Sequence, residues 1–261
     1  MIPGSANPLL LGQTGTGTGD FSIERSLRFN SSDSAYLNRT PSSAGNRKTW
    51  TWAGWVKKSG GSGFEPFFSA GSTTWLDIAF NSDKLRCILN AGAGEIGAIS
   101  DAVFRDPSSW YHIVVAVDTT QSTAADRIKF YVNGVSVSHV VGGSGYPSQN
   151  YDTLVNSATI HRVGADGNSS IRYGSNYLAE CILVDGSALD PTSFGAFDDN
   201  GVWQPIEYDG TYGTNGFHLD FKDNSSSSAL GNDAAGSNNW TVNNLIVNTA
   251  SVSTDTISNV A

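Results

Sequence analysis

The side chains able to do chemistry are a few carboxylates, four histidines and a set of aromatics near turns. Cleaving a glycosidic bond takes two carboxyl groups about 5 to 9 Å apart, which a strand supplies as Glu-x-Asp or Glu-x-x-x-Glu on one face. The five glutamates, Glu24, Glu65, Glu95, Glu180 and Glu207, have no acidic neighbour at those spacings on a predicted strand. Glu180 and Asp185 are five apart, so alternation turns them to opposite sides. His112, His139, His161 and His218 are isolated along the chain, lack metal-ligand spacing, and no serine sits in a nucleophile elbow. His112 lies in an apolar run and reads as a structural histidine. The inventory predicts no catalytic set and no enzyme.

Oxygen ligands for a hard cation cluster at Asp166-Gly167-Asn168, at Asp198-Asp199-Asn200 and between Asp220 and Asn224. Two such loops meeting at one edge could offer calcium six oxygens, with Asp166, Asp198, Asp199, Asp220 and Asp223 as the candidate ligands. Asp and Asn also occur there simply because they form turns, so no cofactor is required. A flat aromatic ring beside amides and carboxylates suits a sugar ring and its hydroxyls. Trp75, Tyr146, Tyr151, Tyr173, Trp203, Tyr208 and Tyr212 lie in or beside loops and are the glycan-binding candidates. Trp50, Trp52, Trp55 and Trp110 lie in strand patterns and read as core.

These residues need strands to position them. The segment 49–56 alternates bulky and small residues, placing Trp50 and Trp52 on one face with Thr51 and Ala53 on the other. Asn81-Ser82-Asp83 turns the chain into Leu85, Cys87 and Leu89 at period two. The run 110–118 is apolar on both faces and predicts a central strand. Ile128, Phe130 and Val132 alternate before Asn133-Gly134, the signature of a type I′ hairpin into a strand over 135–140. Further strands are expected over 158–163 and 177–184, and Asp190-Pro191 caps one short helix through Phe194. Phe217, Leu219 and Phe221 alternate once more.

With 29 glycines and only 15% charged residues, the chain reads as many short strands joined by turns. An arm over 1–20 carries Leu9, Leu10 and Leu11 as an assembly patch. A sandwich is expected over 21–223, and a Ser/Asn-rich extension over 224–261. A net charge of −9 with no basic run excludes nucleic acid as a partner. No apolar stretch reaches the length of a membrane span, and the start lacks a signal peptide, so folding in a host cytoplasm is expected. Cys87 and Cys181 lie in apolar segments and are expected to be buried free thiols.

Trp110-Tyr111-His112-Ile113-Val114-Val115 followed by Lys129-Phe130-Tyr131-Val132-Asn133-Gly134 resembles the paired strands of the laminin-G, pentraxin and concanavalin-A-like superfamily. Ser26-Leu27-Arg28-Phe29, Trp52-Ala53-Gly54-Trp55-Val56 and Tyr177-Leu178-Ala179-Glu180 extend the likeness over about residues 21–200. It implies an all-β fold, an antiparallel two-sheet jelly-roll sandwich, with a C-terminal strand that completes its own sandwich or a neighbour's. Lectins of that superfamily bind calcium through converging loops. A narrower likeness runs through Val184-Asp185-Gly186, Ala188-Leu189-Asp190-Pro191, Gly201-Val202-Trp203 and Tyr212-Gly213-Thr214-Asn215-Gly216-Phe217. That string is similar to bacteriophage virion proteins, particularly of aquatic phages. It implies a non-enzymatic structural or decoration protein on the virion surface, forming a homo-oligomer among other head or tail proteins. The alternative is a tail-fibre adhesin for host surface polysaccharide; a glycan depolymerase lacks its carboxylate pair.

Overall fold

A computed structural model describes residues 21–59, 63–90, 92–168, 170–247 and 256–258. The expected all-β sandwich is what the chain forms: two eight-stranded antiparallel sheets among the described residues. The first runs Val135–Val137, Ile128–Val132, Trp110–Asp118, Thr49–Lys58, Asn176–Asp185, Arg25–Arg28, Thr256–Ser258, and Phe217–Leu219 also pairs with Asn176–Asp185. The second runs His139–Gly143, Glu95–Ser100, Lys84–Asn90, Trp75–Asn81, Phe64–Gly71, His161–Val163, Tyr36–Arg39, Thr241–Asn243. The long central strands read as nearly continuous apolar runs because both of their faces are covered.

Trp50 and Trp52 point into the inter-sheet core, Trp52 stacking on Phe67 at 5.9 Å, while Ala53 joins a separate cluster on the outer face. Leu85, Cys87 and Leu89 face the same core from the other sheet, and both cysteines are buried free thiols. Asn133 and Gly134 adopt φ of 49° and 78°, forming the expected turn. The strand after it is shorter than predicted: it leaves the first sheet after Val137 and enters the second as His139–Gly143. One chain segment thus edges both layers. The predicted strand over 158–163 shortens to His161–Val163, and the short helix is a single turn, Pro191–Ser193, capped by Asp190.

Buried residues continue past 223. Leu230, Trp240 and Leu245 enter the main core, Trp240 edge-on to Phe217 at 4.8 Å, and Thr241–Asn243 pairs with Tyr36–Arg39 of this same chain.

The outer face of the first sheet is also covered. After Asp185 the chain folds back and lays Phe194, Leu189, Tyr208 and Tyr212 on Ala53, Val114, Ile182 and Val184. Trp203, from the small hairpin Gly195–Phe197/Trp203–Pro205, packs with Trp55 and Trp110.

Candidate functional site

The loop aromatics separate into distinct places. Trp203 is buried and donates from Nε1 to His112 Nδ1 at 3.0 Å, so it is packing and not a surface platform as the sequence suggested. Its loop folds onto the sheet's outer face, where an indole buries more apolar area than it would at a rim. Burial holds His112 down at about 3, so the ring is neutral and free to accept that bond, as a structural histidine. Tyr208 and Tyr212 lie edge to face at 5.1 Å beside His218, half-buried in the same cover. Tyr146 meets His139 Nδ1 through its hydroxyl at 3.1 Å, and Tyr173 lies against Tyr36 at 5.7 Å between ring centroids.

Trp75 and Tyr151 come together. They share an open cleft of about 230 Å³ at one end of the sandwich, with Arg47, Thr74, Asn90 and Asp152 beside them and Leu89 and Leu154 beneath. Trp75 begins its strand directly after a tight turn, where Gly71 holds φ of 102° and an added Cβ would meet Thr74 O at 2.1 Å. Only a glycine closes that turn. The indole is mostly buried and contacts the cleft as part of its wall, braced by the Arg86 guanidinium at 5.8 Å. Arg86 is itself held by the buried Asp77 carboxylate through Nε and Nη2, both at 2.8 Å.

Tyr151 is half-buried on a loop that hydrogen bonds fix at several points. Thr119 Oγ1 donates to Tyr151 O at 2.8 Å, and Trp50 Nε1 donates to Thr153 Oγ1 at 2.9 Å. Thr153 Oγ1 in turn donates to Arg47 O at 2.7 Å, while Arg47 Nε and Nη2 donate to the carbonyls of Thr153 and Asp152. Arg47 Nη1, the Thr74 hydroxyl, the Asn90 amide nitrogen and the Asp152 carboxylate carry no bond to other described residues. The cleft therefore presents the Tyr151 ring, with the buried Trp75 in its wall and donors and an acceptor around it, on a preformed frame.

Asp185 locks that frame from behind. Its Oδ1 accepts from Asn46 N at 2.7 Å and Asn156 Nδ2 at 3.0 Å, and Oδ2 accepts from Asn215 N at 2.9 Å. Three loops converge on one carboxylate, one of them carrying Arg47 and another the residues 151–156.

The acidic loops do not converge. Asp166 is fully buried and its carboxylate accepts from Arg172 Nε at 2.6 Å and Arg172 N at 2.8 Å. Asp198 accepts from the amides of Asn200 and Val202, Asp220 from Lys222 N, and Asp223 from Ser225 and Asn232; Asp199 is exposed. Each loop spends its carboxylate on its own turn, and among the described residues no three His, Cys, Asp or Glu side chains gather as metal ligands. Leu9, Leu10 and Leu11 lie outside the described residues.

Glu180 is re-aimed by a β-bulge. Opposite Gly54 the strand carries both Glu180 and Cys181, with the register shifting between Ala179 and Ile182 and Glu180 at φ of 49°. Simple alternation from Leu178 would put Glu180 inward; the bulge sends it outward and Cys181 into the core. There its carboxylate meets His218 Nε2, not a second carboxylate.

Arg47, Thr74, Asn90 and Asp152 were not candidates from sequence. Asn46-Arg47-Lys48 reads as a solvated turn, and only its pairing with Thr153, 106 residues away, brings it to the site. Asp152 beside Tyr151 was the one available signal.

No curated protein matches the sequence. A carbohydrate binding protein from Bacteroides ovatus, so assigned by inference, is similar in structure, with TM-score 0.56 and 13% identity over 87% of this chain and 60% of its own. A pentraxin from Limulus polyphemus gives 0.46 and 14% over 64% of this chain and 78% of its own. The LG4-5 domains of mouse laminin alpha1 give 0.46 and 12% over 79% and 50%. Residues 29–172 match the Laminin_G_3 family model, more than half of the chain, and with the two-sheet antiparallel sandwich this places the chain in the concanavalin A-like lectin/glucanases superfamily.

Proposed function

We propose that the chain is a non-catalytic carbohydrate-binding module that takes a sugar in the Arg47–Trp75–Tyr151 cleft. The observation that carries this reading is the half-buried Tyr151 ring, backed by the buried Trp75, beside four hydrogen-bonding groups that have no partner among the described residues. An open cleft of about 230 Å³ falls below the ~300 Å³ of most enclosed small-molecule pockets, and suits the end of a glycan more than a sequestered cofactor. The Bacteroides ovatus neighbour supports the fold on which such a site is built. The resemblance of the strings from Val184-Asp185-Gly186 through Phe217 to phage virion proteins is what suggests display on a virion surface, where many copies turn weak sites into firm attachment.

A glycan array followed by titration of the best ligand tests the reading. Changing Tyr151 to Ala removes a ring face and is expected to weaken binding about tenfold, or ~1.4 kcal/mol, with the fold intact. Unchanged affinity in that variant, or no ligand on a broad array, rejects the cleft.

A further inference from the structure

At the end of the sandwich, Lys58 and Asp83 meet in a nearly closed apolar setting. Lys58 ends the strand Thr49–Lys58 of the first sheet, and Asp83 lies in the turn between Trp75–Asn81 and Lys84–Asn90 of the second. Their side chains are 2% and 13% exposed, and Lys58 Nζ contacts Asp83 Oδ1. Nζ also donates to Phe104 O at 3.0 Å and lies 5.5 Å from the centre of the Phe80 ring. Phe80, Phe104 and Tyr111 pack on one another there at 5.5 to 5.9 Å. Asp83 sits at φ of 63°, in a turn that fixes where its carboxyl points.

The geometry points to a covalent link: an intramolecular isopeptide bond between Lys58 Nζ and Asp83 Cγ, joining the two sheets. A buried ion pair bears the desolvation cost of both charges, and condensation to an amide removes both. Holding amine and carboxyl in contact replaces a bimolecular encounter by an intramolecular one, worth a large effective concentration.

The step balances without an outside reagent. The ammonium gives up a proton, its lone pair attacks Cγ, the C–N bond forms and one C–O bond breaks. Two protons that began on nitrogen leave with that oxygen as water. Asp83 Oδ2, 3.6 Å from Arg105 Nε, remains as the amide carbonyl, and the guanidinium faces the charge that builds there during attack. Asp83 Oδ1, already in contact with Nζ, takes both protons as it leaves.

The link would close a loop between residues 25 apart, in a chain whose two cysteines are both free. The test is the intact mass of the denatured full chain after folding. The wild type is expected one water, about 18 Da, below its sequence mass, with a branched peptide joining Lys58 to Asp83 in a digest. K58R and D83A are expected at their sequence masses. A folded wild type at full sequence mass overturns the link, as does the same loss of water in K58R. If a variant does not fold, the wild-type mass and digest still decide.

Discussion

Replacing Asp185 by Ala removes the acceptor on which three loops close. Asn215 N is buried and loses its bond to the carboxylate, while Asn156 Nδ2 loses one of two bonds and keeps the one to Asn46 O at 2.8 Å. A buried donor stranded in this way costs ~1–3 kcal/mol. Asn46 N is only partly buried and can turn to water, so its loss is smaller. With the smaller losses at Asn156 and Asn46 added, the sum is about 2–4 kcal/mol. For a domain of this size 1 kcal/mol moves Tm by roughly 2–4 °C, so a fall of about 10 °C is expected. Urea unfolding should show the lower midpoint with an unchanged slope, since the buried surface is the same. D185N keeps one oxygen and should fall between. A D185A protein within about 1 kcal/mol of wild type, measured at the midpoint by a reversible two-state transition, would refute the argument that this carboxylate holds the loops.

Two other expectations follow from the same geometry. Gly134 to Val places a β-branched residue at φ of 78° and a Cβ 2.2 Å from the Trp203 ring, so a loss of more than about 2 kcal/mol is expected; an unchanged Tm would argue against this turn. Burial depresses His112 to about 3 and His161 to about 4, whereas unfolded histidines titrate near 6.5. Between pH 6.5 and 4 the unfolded chain binds the extra protons, so these two sites make stability fall as the pH is lowered, by up to ~1.4 kcal/mol per unit each. H112Q can still accept from Trp203 and should flatten that slope; an identical slope in H112Q denies the histidine its part. On the proposal of display on a virion surface, and not from the geometry, deleting residues 1–20 should leave the sandwich folded while abolishing incorporation into particles, and full incorporation would dismiss the arm as an assembly element.

The strands with strict alternation or two-sided apolar runs were legible because burial on a pleated sheet imposes period two or none. Trp110–Asp118 matched to the residue, and Asn133-Gly134 announced its turn because few other residues accept those angles. What alternation could not foresee was a change of layer. Val135 to Val140 is one apolar pattern, yet Ser138 lies where the chain passes from one sheet to the other. Nor could it foresee the bulge at Glu180, which falls opposite Gly54 of a strand more than a hundred residues earlier. The site was legible in halves. Trp75 and Tyr151 were candidates by their loop positions, but so was Trp203, and nothing local distinguishes an aromatic that lines a cleft from one whose loop folds back onto a sheet. Arg47 meets Thr153 106 residues away, and Asp185 meets Asn46 139 residues away as well as Asn156 and Asn215 about thirty away, relations that only the closed sandwich creates. The acidic turns illustrate the converse, since Asp166, Asp198 and Asp223 each satisfy amides or side chains within nine residues and leave no shared ligand set.

The central claim is that the cleft between Trp75 and Tyr151 receives a sugar, and the most direct test is a crystal structure of the chain with the strongest ligand from the glycan array. The account predicts a sugar ring against the Tyr151 face, its hydroxyls within hydrogen-bonding distance of Arg47, Asn90 or Asp152. A sugar bound elsewhere, on the covered face around Tyr208 and Tyr212 or along an open sheet edge, would contradict it.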